Sequence, residues 1–142
     1  MKKFLVTFLV LGISILCLFA VACKEKEPLV IKESDTYIVI KVSSEQKEIT
    51  NNLTLLEYMQ SLKADGQLEF VVSGGMITSI NNIENPSDWS KCWMLYTSDT
   101  ENSNNAWGEI DYNGNIYGSA NFGAERLIVK ENALYIWVFK AF

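Results

Sequence analysis

Apolar residues follow three different rhythms along the chain. From Phe4 to Ala22 they run almost unbroken (FLVTFLVLGISILCLFAVA), with no charge. In TYIVIKVS, Thr36 to Ser43, they alternate: Ile38, Ile40 and Val42 fall on one side, Tyr37, Val39 and Lys41 on the other, which predicts a half-buried strand. In LTLLEYMQSL the period lengthens. Leu55, Leu56, Met59 and Leu62 share one face of a predicted helix, introduced by the Thr54/Glu57 capping box with Leu53 and Tyr58 placed as a hydrophobic staple. Asp65-Gly66 is its stop.

Beyond the helix the period returns to two. Leu68–Val72 and Met76–Ile80 flank Gly74-Gly75 and predict an antiparallel hairpin. NNIENPSD is rich in turn residues and predicts a loop, and the aromatic WSKCWMLYTSD a strand. DTENSNN is polar and predicts another loop. Asn113-Gly114, between Trp107–Tyr112 and Asn115–Tyr117, is a strong hairpin signal. In the final LYIWVFKAF, Leu134, Ile136 and Val138 oppose Tyr135, Trp137 and Phe139. One helix can cover one face of a sheet, and the aliphatic face is its natural partner. The aromatic face then lies on the opposite side, unless other segments fold over it. The expected fold is α+β: a β-grasp-like mixed sheet packed on one amphipathic helix, spanning residues 37–142.

The unbroken run has a different meaning. Behind Lys2 and Lys3 it has the layout of an export signal, residues 1–22. It is also just long enough to serve as an uncleaved anchor. Ala20-Val21-Ala22 fits an ordinary signal-peptidase site, and the same residues with Cys23 resemble a lipobox, whose cysteine thiol receives a diacylglycerol. Both cut before Cys23. The following KEKEP is charged, ends in proline and suits a solvated tether, assigned to residues 23–36 together with the lipidated cysteine. The expectation is an extracytoplasmic lipoprotein held to membrane lipid through acylated Cys23; without the lipid it is secreted.

Composition narrows the chemistry. Loss of 22 of the 142 residues leaves 120, one ordinary domain, and without Lys2 and Lys3 the net charge moves from −5 to −7. So acidic a chain, with no basic cluster, is not expected to bind nucleic acid. There is no histidine. That excludes Ser-His-Asp and Cys-His nucleophilic sites and histidine-bearing zinc sites. Cys17 leaves with the signal, so with Cys23 lipidated only Cys92 keeps a free thiol; unlipidated, Cys23 could in principle bridge to it. No metal or cofactor is expected, and no enzyme activity. The acidic pairs Asp99/Glu101 and Glu109/Asp111 have the residue types of a glycosidase pair or a calcium site, but alternation puts Glu109 and Asp111 on one exposed face, where solvated carboxylates are the common outcome.

The order of these segments resembles a known family. The helix LTLLEYMQSL, then FVVSGGMITSINNI, then KCWMLYTSD and a closing aromatic strand are similar to the C-terminal domain of transcobalamin and intrinsic factor. They are closer still to the transcobalamin-C-terminal-like domains of bacterial lipoproteins. Thr54, Leu56 and Met59 match the helix motif loosely; Ser79 and Ile80 fall in its Ser-Ile segment; Trp93 and Tyr96 match its aromatic strand. Cys92 stands where the family has tyrosine, Asn82 where glycine is usual, and Asp99–Ser119 resembles an enlarged insertion. The resemblance implies a β-grasp fold of the soluble-ligand-binding type. The helical barrel that closes the vitamin carriers over cobalamin has no counterpart here, which argues against tight cobalamin binding by this domain alone.

The aromatic residues supply the candidate site. Cys92 reads as a small buried hydrophobe, because no histidine can activate it and adjacent Lys91 points to the other face of the strand. Trp93 and Tyr96 lie on opposite strand faces. Trp89 and Trp107, beside loops, are the best candidates for an exposed aromatic patch, with Tyr112 and Tyr117 flanking the hairpin turn. The candidate ligand-binding residues are therefore Trp89, Trp93, Trp107, Tyr112 and Tyr117. Two functions fit: a binding module for a small soluble ligand, cobalamin-like or otherwise flat and polar, or a non-catalytic module that docks an envelope protein.

Overall fold

The computed structural model describes residues 25–141. The export signal and Cys23 lie outside the described residues. Among the described residues nine strands and one α-helix follow in the order β1 (Val30–Ser34), β2 (Tyr37–Lys41), α1 (Leu55–Ala64), β3 (Phe70–Ser73), β4 (Met76–Ile80), β5 (Ile83–Glu84), β6 (Lys91–Thr97), β7 (Ser103–Tyr112), β8 (Asn115–Ala120) and β9 (Leu134–Ala141), with a 3-10 turn at Thr100–Asn102 before β7. The architecture is α+β and mostly β. The single mixed sheet expected from the sequence is realised as two: six strands in the order β1-β2-β9-β6-β8-β7, and three in the order β3-β4-β5. Every pairing between neighbours is antiparallel.

Short-range chemistry places these elements. Thr54 caps α1: its hydroxyl accepts from the Glu57 N–H at 3.2 Å, and the Glu57 carboxylate accepts from the Thr54 N–H at 2.8 Å. The next two N–H groups, which a helix start leaves unpaired, donate to the segment before β9: Leu55 to the Leu127 carbonyl at 2.7 Å and Leu56 to that of Ala124 at 2.8 Å. The β3–β4, β4–β5 and β7–β8 hairpins turn at Gly74-Gly75, Asn81-Asn82 and Asn113-Gly114, each pair with both φ angles positive, as two-residue turns between twisted strands require. The segment read as a loop, NNIENPSD, thus holds β5. Part of the predicted tether is β1, an edge strand whose Lys32 and Glu33 are exposed, so no clean alternation announces it.

The larger core lies between the six-stranded sheet and a second layer made of α1 and the small sheet. Leu55, Tyr58, Met59 and Leu62 of α1 pack there with Ile38, Ile40, Phe70, Ile80, Trp93, Tyr135 and Trp137. The sides of β9 are therefore opposite to expectation. Tyr135 and Trp137 face the helix, while Ile136, with Leu134 and Val138, faces the other way among Val39, Tyr96 and Tyr112. The reason is volume. The helix contributes mainly aliphatic side chains, and the sheet must supply the large ones that fill the gap.

The other face is covered by the sheet itself. Although β7 and β1 lie at opposite ends of the strand order, Tyr112 of β7 stacks on Tyr37 with ring centroids 6.1 Å apart and donates to the Glu33 carboxylate at 3.1 Å. Tyr37 donates in turn to the Asp111 carbonyl at 3.1 Å. The sheet curls until its ends meet over Val39 and Ile136.

Candidate functional site

The curl leaves one edge uncovered. β8 pairs with β6 only at Tyr96↔Ser119 and Thr97↔Gly118, so Lys91–Leu95 run beside no strand on that side. A cleft of about 380 Å³ opens there, between β6, the small sheet and the β7–β8 hairpin. Trp93 and Trp137 line it from the main sheet, Trp89 from the loop before β6, Trp107 from β7, and Met76 and Phe122 complete its apolar rim. Among the described residues eight large apolar side chains are exposed, and four of them, Met76, Trp89, Trp107 and Phe122, border this one cleft. Such clustering makes this cleft the candidate site, since singly scattered apolar residues are ordinary on protein surfaces.

Each wall has a local cause. Asn104 pairs with Ser119 and Glu109 with Gly118, so Asn105–Gly108 bulge out of β7. Gly108 has φ +124, Ala106 donates its N–H to the Asn104 side chain at 2.9 Å, and the Ser119 hydroxyl donates to the Trp107 carbonyl at 3.2 Å. The bulge holds Trp107 out, 63% exposed. Beneath it Gly118 leaves room: a Cβ there would collide with the Asn105 side chain and lie 3.0 Å from the Asn104 backbone carbon. Trp89 is 47% exposed and has φ +55, a left-handed backbone conformation that bulky residues rarely adopt. Its N–H donates to the Pro86 carbonyl at 3.0 Å, closing the turn that presents it.

Trp93 is a buried wall. Its indole N–H donates to the Ile83 carbonyl at 2.8 Å, its backbone N–H to the Asn85 side chain at 3.1 Å, and its ring tilts against Phe139 at 5.5 Å. Trp137 is buried too, but its indole nitrogen has no hydrogen-bond partner. The sequence reading missed Trp137, Met76 and Phe122. Trp137 could have been found by asking which β9 residues lie across from β6, since it pairs with Leu95.

Of the five candidate residues, Trp89, Trp93 and Trp107 meet at the cleft, and Tyr112 and Tyr117 do not. Tyr112 is buried on the curled face with Tyr117 packed against the same cluster. Flanking a hairpin turn exposes a side chain only if nothing lies under the hairpin, and here β1 and β2 do.

Cys92 is buried, unpaired and 3.3 Å from the Met94 sulfur. Burial pushes its thiol up, away from the thiolate form. The Asp99/Glu101 pair is bridged by Lys130, at 2.9 Å to Asp99. Glu109 and Asp111 are exposed. A larger cavity, about 640 Å³, lies where Glu25–Leu29 pass Lys41 and Gln46. One of its walls is the Glu25–Leu29 segment itself, pinned by the Lys41–Glu27 ion pair at 2.8 Å. No family model, curated protein or solved structure matches this chain.

Proposed function

We propose that this protein is an extracytoplasmic lipoprotein, anchored through acylated Cys23, whose domain binds a small soluble ligand in the tryptophan cleft without transforming it. One observation carries the reading: Trp89, Trp93 and Trp107, from a loop, a strand and a bulge, open onto a single cleft lined by no charged side chain. Its volume is at the lower end of ligand pockets, roughly 300–1,000 Å³. A smaller molecule than a corrinoid fits that space better. The absence of histidine in the sequence supports a binding role over a catalytic one.

The transcobalamin-like, β-grasp reading of the fold belongs to the same proposal. The motif order and the helix on one face of a sheet support it, while the wholly antiparallel six-stranded sheet departs from the mixed sheet it implies. Titrating tryptophan fluorescence with cobalamin and a metabolite panel tests the ligand reading, and silence across the panel removes it. The alternative, docking of an envelope protein, draws on the open edge of β6. It predicts a stoichiometric protein partner in pull-downs from native membranes.

A further inference from the structure

Resting on the reading of the cleft as a ligand site, we propose that its ligand is a short extended peptide with uncharged side chains, its backbone paired to the open edge of β6 between Trp93 and Leu95. The edge itself, the place of the opening within the sheet and the lining of the cleft define that chemistry.

The cleft meets β6 along its edge. Cys92, Trp93, Met94 and Leu95 all line it, although successive side chains of a strand point to opposite faces. Only the backbone plane between the two faces borders on all four. Within that plane alternate residues direct their N–H and carbonyl groups to the same side. The Trp93 N–H donates to the Asn85 side chain, itself part of the lining, so Trp93 and Leu95 turn their backbone groups toward the cleft. Thr97, next on that side, pairs with Gly118 of β8. Between these two contacts lie the Trp93 carbonyl and the Leu95 N–H, which have no hydrogen-bond partner among the described residues.

The two groups flank Met94 as one acceptor and one donor at the spacing of an extended chain. A peptide answers both at once in either direction. Antiparallel, the residues on each side of its central one supply the N–H and the carbonyl; parallel, a single residue supplies both. The adjoining Trp93 N–H is already satisfied by an amide, that of Asn85, which also donates to the Ile77 carbonyl at 3.3 Å. Open edges ordinarily invite a second copy of the same chain. Here β6 is fourth in an order of six, and the opening lies between the β7–β8 hairpin and the small sheet. A single chain can enter it, and the edge of another folded domain cannot.

The lining selects the side chains. It contains no Asp, Glu, Lys or Arg, so a charge entering would lose its hydration with nothing to pair it. Outside the lining Glu125 lies against Gly75 and Arg126 over the Phe122 ring, opposite signs that favour neither charge. The exposed faces of Trp89 and Trp107 offer stacking area to an aromatic side chain. Their indole N–H groups and the Asn121 amide can meet further amides of the ligand. A sugar would use the same faces and leave the Trp93–Leu95 pair unmatched.

The test uses the full-length 15N-labelled protein in lipid nanodiscs. The probes are acetyl-Ala-Phe-Ala-amide, the same peptide with Glu at its centre, and three esters of the parent, each with one backbone N–H replaced by oxygen. The expected result is that the parent moves the Leu95 amide signal downfield and slows its hydrogen exchange. At least one ester binds about fivefold weaker, the value of one net hydrogen bond. The Glu peptide binds more than about tenfold weaker, its charge being desolvated. Because the altered groups are on the ligand, every measurement is made on the native fold. An unmoved Leu95 signal, or esters or Glu peptide binding as tightly as the parent, overturns the proposal. Silence of the whole peptide series does so too. If cellobiose or cobalamin then shifts the Trp89 and Trp107 indole signals, the peptide is wrong and the cleft stands as a ligand site. If no compound of any class shifts them, both fall.

Discussion

At the scale of single residues the proposed ligand contacts and the stabilising contacts fall on different side chains. Trp107 projects from a bulge with most of its surface in water. Trp107→Ala is expected to weaken ligand response at least tenfold while changing stability by no more than about 0.5 kcal/mol, the usual range for exposed positions. Paired fluorescence titration and urea denaturation check this. Asp99 is the opposite case. Burial pushes its carboxyl up, but hydrogen bonds from Asn102, Lys130 and the Glu101 N–H outweigh that and hold it below the ordinary value. A carboxyl lowered by folding stabilises the fold fully above its unfolded value of about 3.9, and the contribution is lost as pH falls through the lower folded value. Asp99→Ala leaves those donors without their acceptor and should destabilise by about 1–3 kcal/mol at pH 7. The gap between variant and wild type should narrow in acid denaturation below pH 4.

At the scale of elements, what the sequence revealed depends on whether the signal is local. The Thr54/Glu57 box, the Gly74-Gly75 turn and the Asn113-Gly114 turn are written in adjacent residues, and each lies where the pattern puts it. β1 and β5 were invisible because they are short or exposed, and the side chains of an edge strand need not alternate. The orientation of β9 could not be read either: both of its faces are apolar, so periodicity gives two sides without saying which meets the helix. The bulge at Asn105–Gly108 reads as polar loop until Gly118, fourteen residues from Asn104, is known to lie beneath it. Gly118→Ala should therefore act on the bulge. A destabilisation of about 1–3 kcal/mol is expected from the forced overlap, with weaker ligand response because Trp107 is displaced. Thermal denaturation and titration of the one variant measure both.

At the scale of the whole molecule the site is an assembly of distant parts. Trp89, Trp107 and Trp137 come from a loop, a bulge and the last strand, and only the register of β6 against β9 and β8 unites them. That is why sequence supplied three of the cleft's tryptophans and misplaced Tyr112 and Tyr117. Attachment is testable separately: Cys23→Ser should release the protein from the membrane fraction without altering ligand response, measured by fractionation and titration. The strand register also fixes an orientation. The chain enters beside Leu29 and Val30, next to Ile40 and Lys41, which pair with Tyr135 and Leu134 at the start of β9. The cleft borders Trp137 and the partners of Phe139 and Lys140, roughly 10–20 Å further along that strand. Entry end and mouth thus occupy opposite ends of one ribbon, so under the proposed Cys23 anchor the opening would turn away from the membrane.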